Sequence, residues 1–178
     1  IIKRADWGAN EQYRYQDSKY WKSYYDKLTS QTGTVLTDAQ KAQIEKTKKI
    51  NEYLKTNFAE DYESIEQIDS EDGHPLVRPI EKTRYVKSIV IHHTASDDIT
   101  KPSDELLRWI YYYHSVQNWR WDIGYHYIVG QDWKIYEWKA WGDYVLGSHA
   151  LRNNRSTVSI SVIWNYQNNY LTEEQQAS

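Results

Sequence analysis

Val86-Lys87-Ser88-Ile89-Val90-Ile91-His92-His93 is the stretch on which the fold turns. Its run of β-branched apolar residues suits a strand buried on both faces, as strands of parallel sheets are. Downstream, Pro102 and Ser103 open a helix in which Leu106, Leu107, Ile110 and then Tyr113 or His114 recur at helical spacing. Residues 124–130, Gly-Tyr-His-Tyr-Ile-Val-Gly, alternate and predict a strand. Residues 134–138 are its hairpin partner across the turn at Gln131–Trp133. Residues 156–163 predict a further buried strand. Strand, helix, strand pair and strand make an α/β domain, a central mixed β-sheet flanked by helices.

Upstream the character changes. Residues 1–10 read as a short strand and turn. Residues 11–83 are charged, Tyr-rich and helical in pattern, and read as an N-terminal helical insertion into a single domain spanning 1–178. Thr37 and Gln40 form a capping box that starts a helix over 37–58, with Ile50, Leu54 and Phe58 on one face and Tyr53 beside them. A second helix is expected near 18–30. Residues 71–79, with one Gly and two Pro, read as a connector.

Bulk properties exclude several classes. The net charge of −3, with Lys and Arg dispersed, offers no basic stripe for nucleic acid. Without cysteine there is no disulfide framework and no thiolate metal site within these residues, and the redox compartment stays open. No apolar run approaches the roughly 18 residues of a membrane span. The chain starts at Ile1 and contains no Met, which points to a fragment or processed form whose export signal, if any, lies outside it. The 17 Tyr and 9 Trp suggest an aromatic-rich protein that faces carbohydrate.

Three motifs carry chemistry. His92-His93-Thr94 closes the first strand, where an imidazole can enter a cleft, and neutral imidazole is the commonest zinc ligand. Taken alone, such a pair is more often packed and hydrogen-bonded at a sheet edge. In Asp122-Ile123-Gly124-Tyr125-His126-Tyr127, strand parity puts Tyr125, Tyr127 and Val129 on one face and His126 and Ile128 on the other. Gly147-Ser148-His149-Ala150, followed by Asn153-Asn154, reads by itself as a polar loop.

In this order and spacing, the motifs resemble the peptidoglycan-recognition and type-2 amidase family, which includes phage endolysins. The matching segments are Arg4-Ala5-Asp6-Trp7-Gly8, Ile89–Ala95, Asp122–Gly130, Gly147–Ala150 with Asn153 and Asn154, and Val158–Ile163. The resemblance implies a zinc-dependent N-acetylmuramoyl-L-alanine amidase that works as a monomer on peptidoglycan, outside the cell or in its envelope. His92 matches the first zinc ligand, and Tyr125 the tyrosine that steadies the tetrahedral intermediate. Thr94, His149, Asn153 and Asn154 match the substrate-binding groove. The other two ligands, a histidine and a cysteine or aspartate, are expected beyond Ser178, past a helix that begins at 171–175 with Thr172 as its cap. His126 would point away from the cleft, and His149 would need a rearranged loop to ligate. On that expectation the 178-residue chain is itself inactive. A peptidoglycan-binding module without a working metal is the alternative, and a partner-docking role for residues 11–83 a third.

The resemblance also exposes an anomaly. Trp133, Trp138, Trp141 and Trp164 stand where the family commonly has Gly, and Trp119 and Trp121 extend the set, whereas Trp7 fits as Trp. Trp133 sits in a turn that favours positive φ, which a bulky side chain resists. Either the source reads UGA as glycine, with Trp written in its place here, or the tryptophans line a sugar groove.

Overall fold

The computed structural model describes residues 1–24, 26, 38–57, 59, 65–96, 100–118, 122–150, 153–167, 170 and 173–177. The expected mixed sheet is present. It contains β3 (Ser88–His93), β4 (Tyr127–Val129), β5 (Ile135–Glu137) and β6 (Thr157–Val162), in the order β3-β6-β4-β5. β6 runs parallel to both β3 and β4, and β5 closes an antiparallel hairpin on β4. Helix α2 (Ser103–Tyr112) starts after Pro102 as the sequence predicts and continues through a π turn at Tyr113–Gln117. It buries Leu106, Leu107, Ile110 and Tyr111 in one cluster with Ile123, Ile128 and Ile163. Ser103 Oγ donates to Asp132 Oδ1 (3.0 Å) and accepts from the Gln131 amide (3.0 Å), which ties the helix start to the β4–β5 turn.

β3 departs from expectation. Ile89 is 64% and Ile91 71% exposed, so this strand is not buried on both faces. The reason is position: β3 is an edge strand with β6 as its one neighbour, and the Ile89–Ile91 face is left uncovered by the described residues. The doubly buried strand is β6, where Val158, Ser159, Ser161 and Val162 are all buried.

Two elements precede this sheet in sequence, α1 (Asp38–Asn57) and a hairpin of β1 (Glu66–Glu71) and β2 (His74–Lys82). α1 falls within the expected 37–58 span. Thr37, Phe58 and the side chains of Ile50 and Leu54 lie outside the described residues, as do residues 25 and 27–30 of the helix expected at 18–30, of which 22–24 and 26 are helical, and Trp119, Trp121 and Thr172. The hairpin corrects two readings: residues 71–79 are not a connector, and the insertion is not wholly helical. Asp72 and Gly73, at φ 51° and 82°, form a tight turn, and Asp-Gly is the pairing such hairpin turns favour. Pro75 and Pro79 obscured the strand, yet β2 tolerates them because β1 is its only strand neighbour in the sheet. Leu76 and Ile80 pack with Tyr15 and Val145 in a second small core.

The N-terminal segment is bolted to β5. The Ile2 amide donates to the Ile135 carbonyl (2.8 Å), and the Glu137 amide donates to the Ile2 carbonyl (2.8 Å). Trp7 Nε1 donates to the Glu137 carbonyl (2.8 Å). Buried Arg4 reaches the Trp138 carbonyl, both Glu11 oxygens (2.8 Å each) and the Tyr111 hydroxyl (2.8 Å). Glu11 also meets Arg14 (3.2 Å), which pairs with Glu71 of β1 and so links the insertion hairpin to the same network.

Six non-glycine residues among those described have positive φ, and three are tryptophans: Trp133 (60°), Trp141 (77°) and Trp164 (147°). Trp138 is not among them. It is fully buried, with an indole N–H that has no hydrogen-bond partner among the described residues.

Candidate functional site

The end of β3, the segment leading into β4 and the loop before β6 meet in one cleft. His92, half-buried at the end of β3, has Nε2 3.0 Å from His149 Nδ1. The Tyr125 ring lies 5.1 Å from the His92 ring and 6.4 Å from that of His149. Behind it, Trp138 stacks on Tyr125 at 5.6 Å and His114, on the π turn, at 6.1 Å. The expected parity holds: Tyr125 faces this cleft, while His126 is 1% exposed beneath it.

Each side chain is held by its local structure. The Ser159 amide donates to His126 Nδ1 (3.1 Å), so His126 carries its proton on Nε2 and donates it to the Val145 carbonyl (2.7 Å). With both nitrogens engaged, His126 is part of the framework. The segment carrying Tyr125 is anchored by buried Lys139, which donates to Asp122 Oδ2 (2.8 Å) and the Ile123 carbonyl (3.2 Å). Burial opposes ionisation of Asp122, but Lys139, Arg4 and Arg14 outweigh it and hold the carboxyl well below the usual carboxylate range.

His149 is equally constrained. The Ser148 amide donates to the Gly124 carbonyl (2.8 Å), and Asn154 Oδ1 accepts from the amides of His149 (2.8 Å) and Ala150 (2.7 Å). Thr157 Oγ1 lies 3.2 Å from His149 Nε2. Gly147 permits the close approach: a Cβ there would sit 2.7 Å from His149 Cδ2 and 2.8 Å from His126 Cε1. Burial, with His126 and His92 nearby, lowers the His149 pKa to about 4. Burial, then the charge of His93, lowers that of His92. Both rings are therefore neutral at pH 7, the form in which imidazole offers a lone pair.

The structure sorts the expected site residues. His92, Tyr125 and His149 converge. Asn154 lies beneath the cleft as the clamp of the His149 loop, and Asn153 is exposed, its carbonyl accepting from Thr157 Oγ1 (2.7 Å). Thr94 Oγ1 accepts from the Trp164 amide (3.1 Å), and His93 Nδ1 from the Tyr166 amide (2.9 Å), so both tie down the loop after β6. Sequence reasoning missed Thr157 and His114 as parts of this site. Thr157 is hidden by the strand pattern of β6, and His114 by a helical periodicity that does not foresee the π turn. Among the described residues no group of three His, Cys, Asp or Glu could hold a metal ion. Two imidazoles alone do not fit a zinc centre.

The end of β3, the segment before β4 and the loop before β6 thus bring two histidines and a tyrosine of an α/β domain into one cleft. Residues 82–178, more than half of the chain, match the family described as N-acetylmuramoyl-L-alanine amidase, and the chain belongs to that family. Peptidoglycan-recognition protein SC2 of Drosophila melanogaster is 36% identical over 94 residues, covering 51% of this chain and 50% of that protein. The peptidoglycan recognition protein of Trichoplusia ni is 30% identical over 108 residues, covering 60% and 58%. The chain thus spans about half the length of the curated relatives it matches. Wild-type Drosophila PGRP-LB shares the fold, with a TM-score of 0.50 at 24% identity over 55% of this chain and 59% of that one.

Proposed function

We propose that this chain is the sheet and cleft of a peptidoglycan amidase, which hydrolyses the amide between the lactyl group of N-acetylmuramic acid and L-alanine. The observation that carries the reading is the convergence of His92, Tyr125 and His149 within the family-matching segment. A muropeptide laid across this cleft presents its amide carbonyl to Tyr125. The phenol then donates to the oxyanion as the carbonyl becomes tetrahedral, a contribution commonly worth about 10²–10³ in rate. His149, neutral and clamped by Asn154, fixes the wall beside it. The substrate places the protein outside the cell or in its envelope.

Zinc enters this reading through the family, with His92 as the ligand this chain would contribute. Because the described residues do not complete a metal site, no step is assigned to it. The similarity to peptidoglycan-recognition proteins supports a second reading, a module that binds peptidoglycan without cutting it.

Incubating the chain with purified peptidoglycan, with and without added zinc, tests both. Co-sedimentation measures binding, and soluble stem peptides with new L-alanine amino termini measure cleavage. Binding supports a peptidoglycan cleft, and release in addition supports the amidase over the module. Absence of both overturns the assignment.

A further inference from the structure

The hydrogen bonds around His149 leave one assignment of protons. Thr157 Oγ1 lies 2.7 Å from the Asn153 carbonyl, 3.3 Å from that of Asn154 and 3.2 Å from His149 Nε2. Carbonyl oxygens cannot donate, so the single hydroxyl proton occupies the shortest contact, to Asn153. The threonine oxygen is then an acceptor toward His149, and Nε2 of that ring must carry its proton. In a neutral imidazole the other nitrogen is bare, so His149 Nδ1 accepts. Its contact at 3.0 Å, His92 Nε2, must therefore be the donor. That leaves the lone pair of His92 on Nδ1, for which no described residue is a hydrogen-bond partner.

We propose that Thr157 is a positioning residue: acting through His149, it fixes His92 as the Nε2–H tautomer and so leaves the lone pair of that ring on Nδ1. The relay runs from the first residue of β6 to the penultimate residue of β3, and Asn154 keeps its middle member in place through two backbone amides. What Nδ1 receives, a metal ion or a substrate proton, rests on the amidase reading. The tautomer does not, because it is set in the metal-free protein. Carbonyl- and hydroxyl-fixed tautomers of this kind are how outer partners orient ligand histidines generally.

Nitrogen-15 NMR of the labelled chain, freed of metal with a chelator, tests this directly. Both His92 and His149 should show a protonated-type Nε2 and a bare-type Nδ1. Thr157→Val keeps the β-branched shape of the strand residue but removes the acceptor, so the His149 signals should move toward a tautomer mixture and those of His92 should follow. Thr157→Ser should restore the wild-type pattern. A wild-type His92 protonated on Nδ1 overturns the proposal, even if Thr157→Val does not fold, and so does an unchanged spectrum in a folded Thr157→Val variant. A chain that passes this test but neither binds nor cuts peptidoglycan loses the amidase reading and keeps the relay.

A separate observation carries a second inference. Three of the nine tryptophans occupy turns with φ of 60°, 77° and 147°. For a bulky residue, positive φ is a genuine outlier, and glycine is the residue that adopts it freely. The chain is meanwhile short of glycine, with seven. We infer that positions 133, 141 and 164 are glycine in the protein its source makes, encoded by UGA read as glycine. Codons for these positions and peptide masses from the natural protein decide it. UGA codons with glycine-mass peptides are expected, with UGG at Trp7, whose indole is buried and bonded. UGG codons at the three positions, or tryptophan masses there, overturn it.

Discussion

Replacing Trp133 with Gly should stabilise the chain, an unusual expectation for removal of a large aromatic residue. Trp133 sits at φ 60° in the β4–β5 turn, its amide donating to the Gly130 carbonyl (3.3 Å). Holding an L-residue in the left-handed region costs roughly 1–2 kcal/mol. Gly removes that cost but gains freedom in the unfolded chain, which takes back about 0.4–1 kcal/mol. The indole makes no buried hydrogen bond, and the net gain is about 1 kcal/mol. For a chain of this size that is a rise of roughly 2–4 °C in Tm. Thermal unfolding followed by circular dichroism measures it, with Trp133→Ala as control. Alanine keeps the Cβ that creates the strain, so it should not reproduce the gain. If Ala stabilises as much as Gly, the effect comes from losing the indole and the backbone argument fails. Trp141→Gly should be nearly neutral, because that indole donates to Glu71 Oε1 (2.9 Å) and lies under Lys82, which offsets the relief.

Gly147→Ala should cost about 1–3 kcal/mol, the usual range for overpacking, since the new methyl meets two imidazoles below 3 Å; a denaturant midpoint within error of wild type would show that the loop yields instead. Lys139→Met should cost about 3–5 kcal/mol by leaving the buried Asp122 carboxylate unpaired, and adding Asp122→Leu should recover much of it. If the double variant is no better than the single, the ion pair is not the cause. Burial lowers the pKa of His126 despite the opposing bond to Val145. The unfolded chain therefore takes up a proton near pH 6.5 that the folded state refuses. Stability should be full above that pH and fall as the pH drops below it, and a Tm that stays flat from pH 7.5 to 5 would contradict this. Tyr125→Phe should leave peptidoglycan binding intact and, where release is observed, lower turnover about 10²–10³-fold; an unchanged turnover removes the phenol from the chemistry.

What was legible in the sequence follows from how each signal is encoded. Period-two alternation around Tyr125 places that residue in the cleft and His126 beneath it because strand parity depends on local sequence alone. The run Ile89–Ile91 reports β-propensity but not neighbours, so it cannot reveal that β3 lies at the sheet edge. The hairpin at 66–82 was hidden by two prolines, which read as breakers unless the strand is known to have a free side. Asn153, Asn154 and Thr94 were assigned to substrate by motif. The structure uses Asn154 and Thr94 to hold loops, a role that depends on contacts between segments distant in sequence. His149 beside His92 is a contact across 57 positions, and no local pattern encodes it.

The bolting of Ile2, Arg4 and Trp7 to residues 135–138 has a consequence in time. The Ile2 backbone, the Trp7 indole and one of the Arg4 contacts wait for a segment 130 or more positions later to leave the ribosome. At the roughly 5–20 residues per second of translation, that is a delay of about 7–26 s. During it, Arg4 has its native partner Glu11 within reach, while the indole of Trp7 stays in water or in non-native contacts. Docking of the N-terminal segment therefore waits on β5, so a bulky fusion placed before Ile1 would burden assembly more than the finished fold.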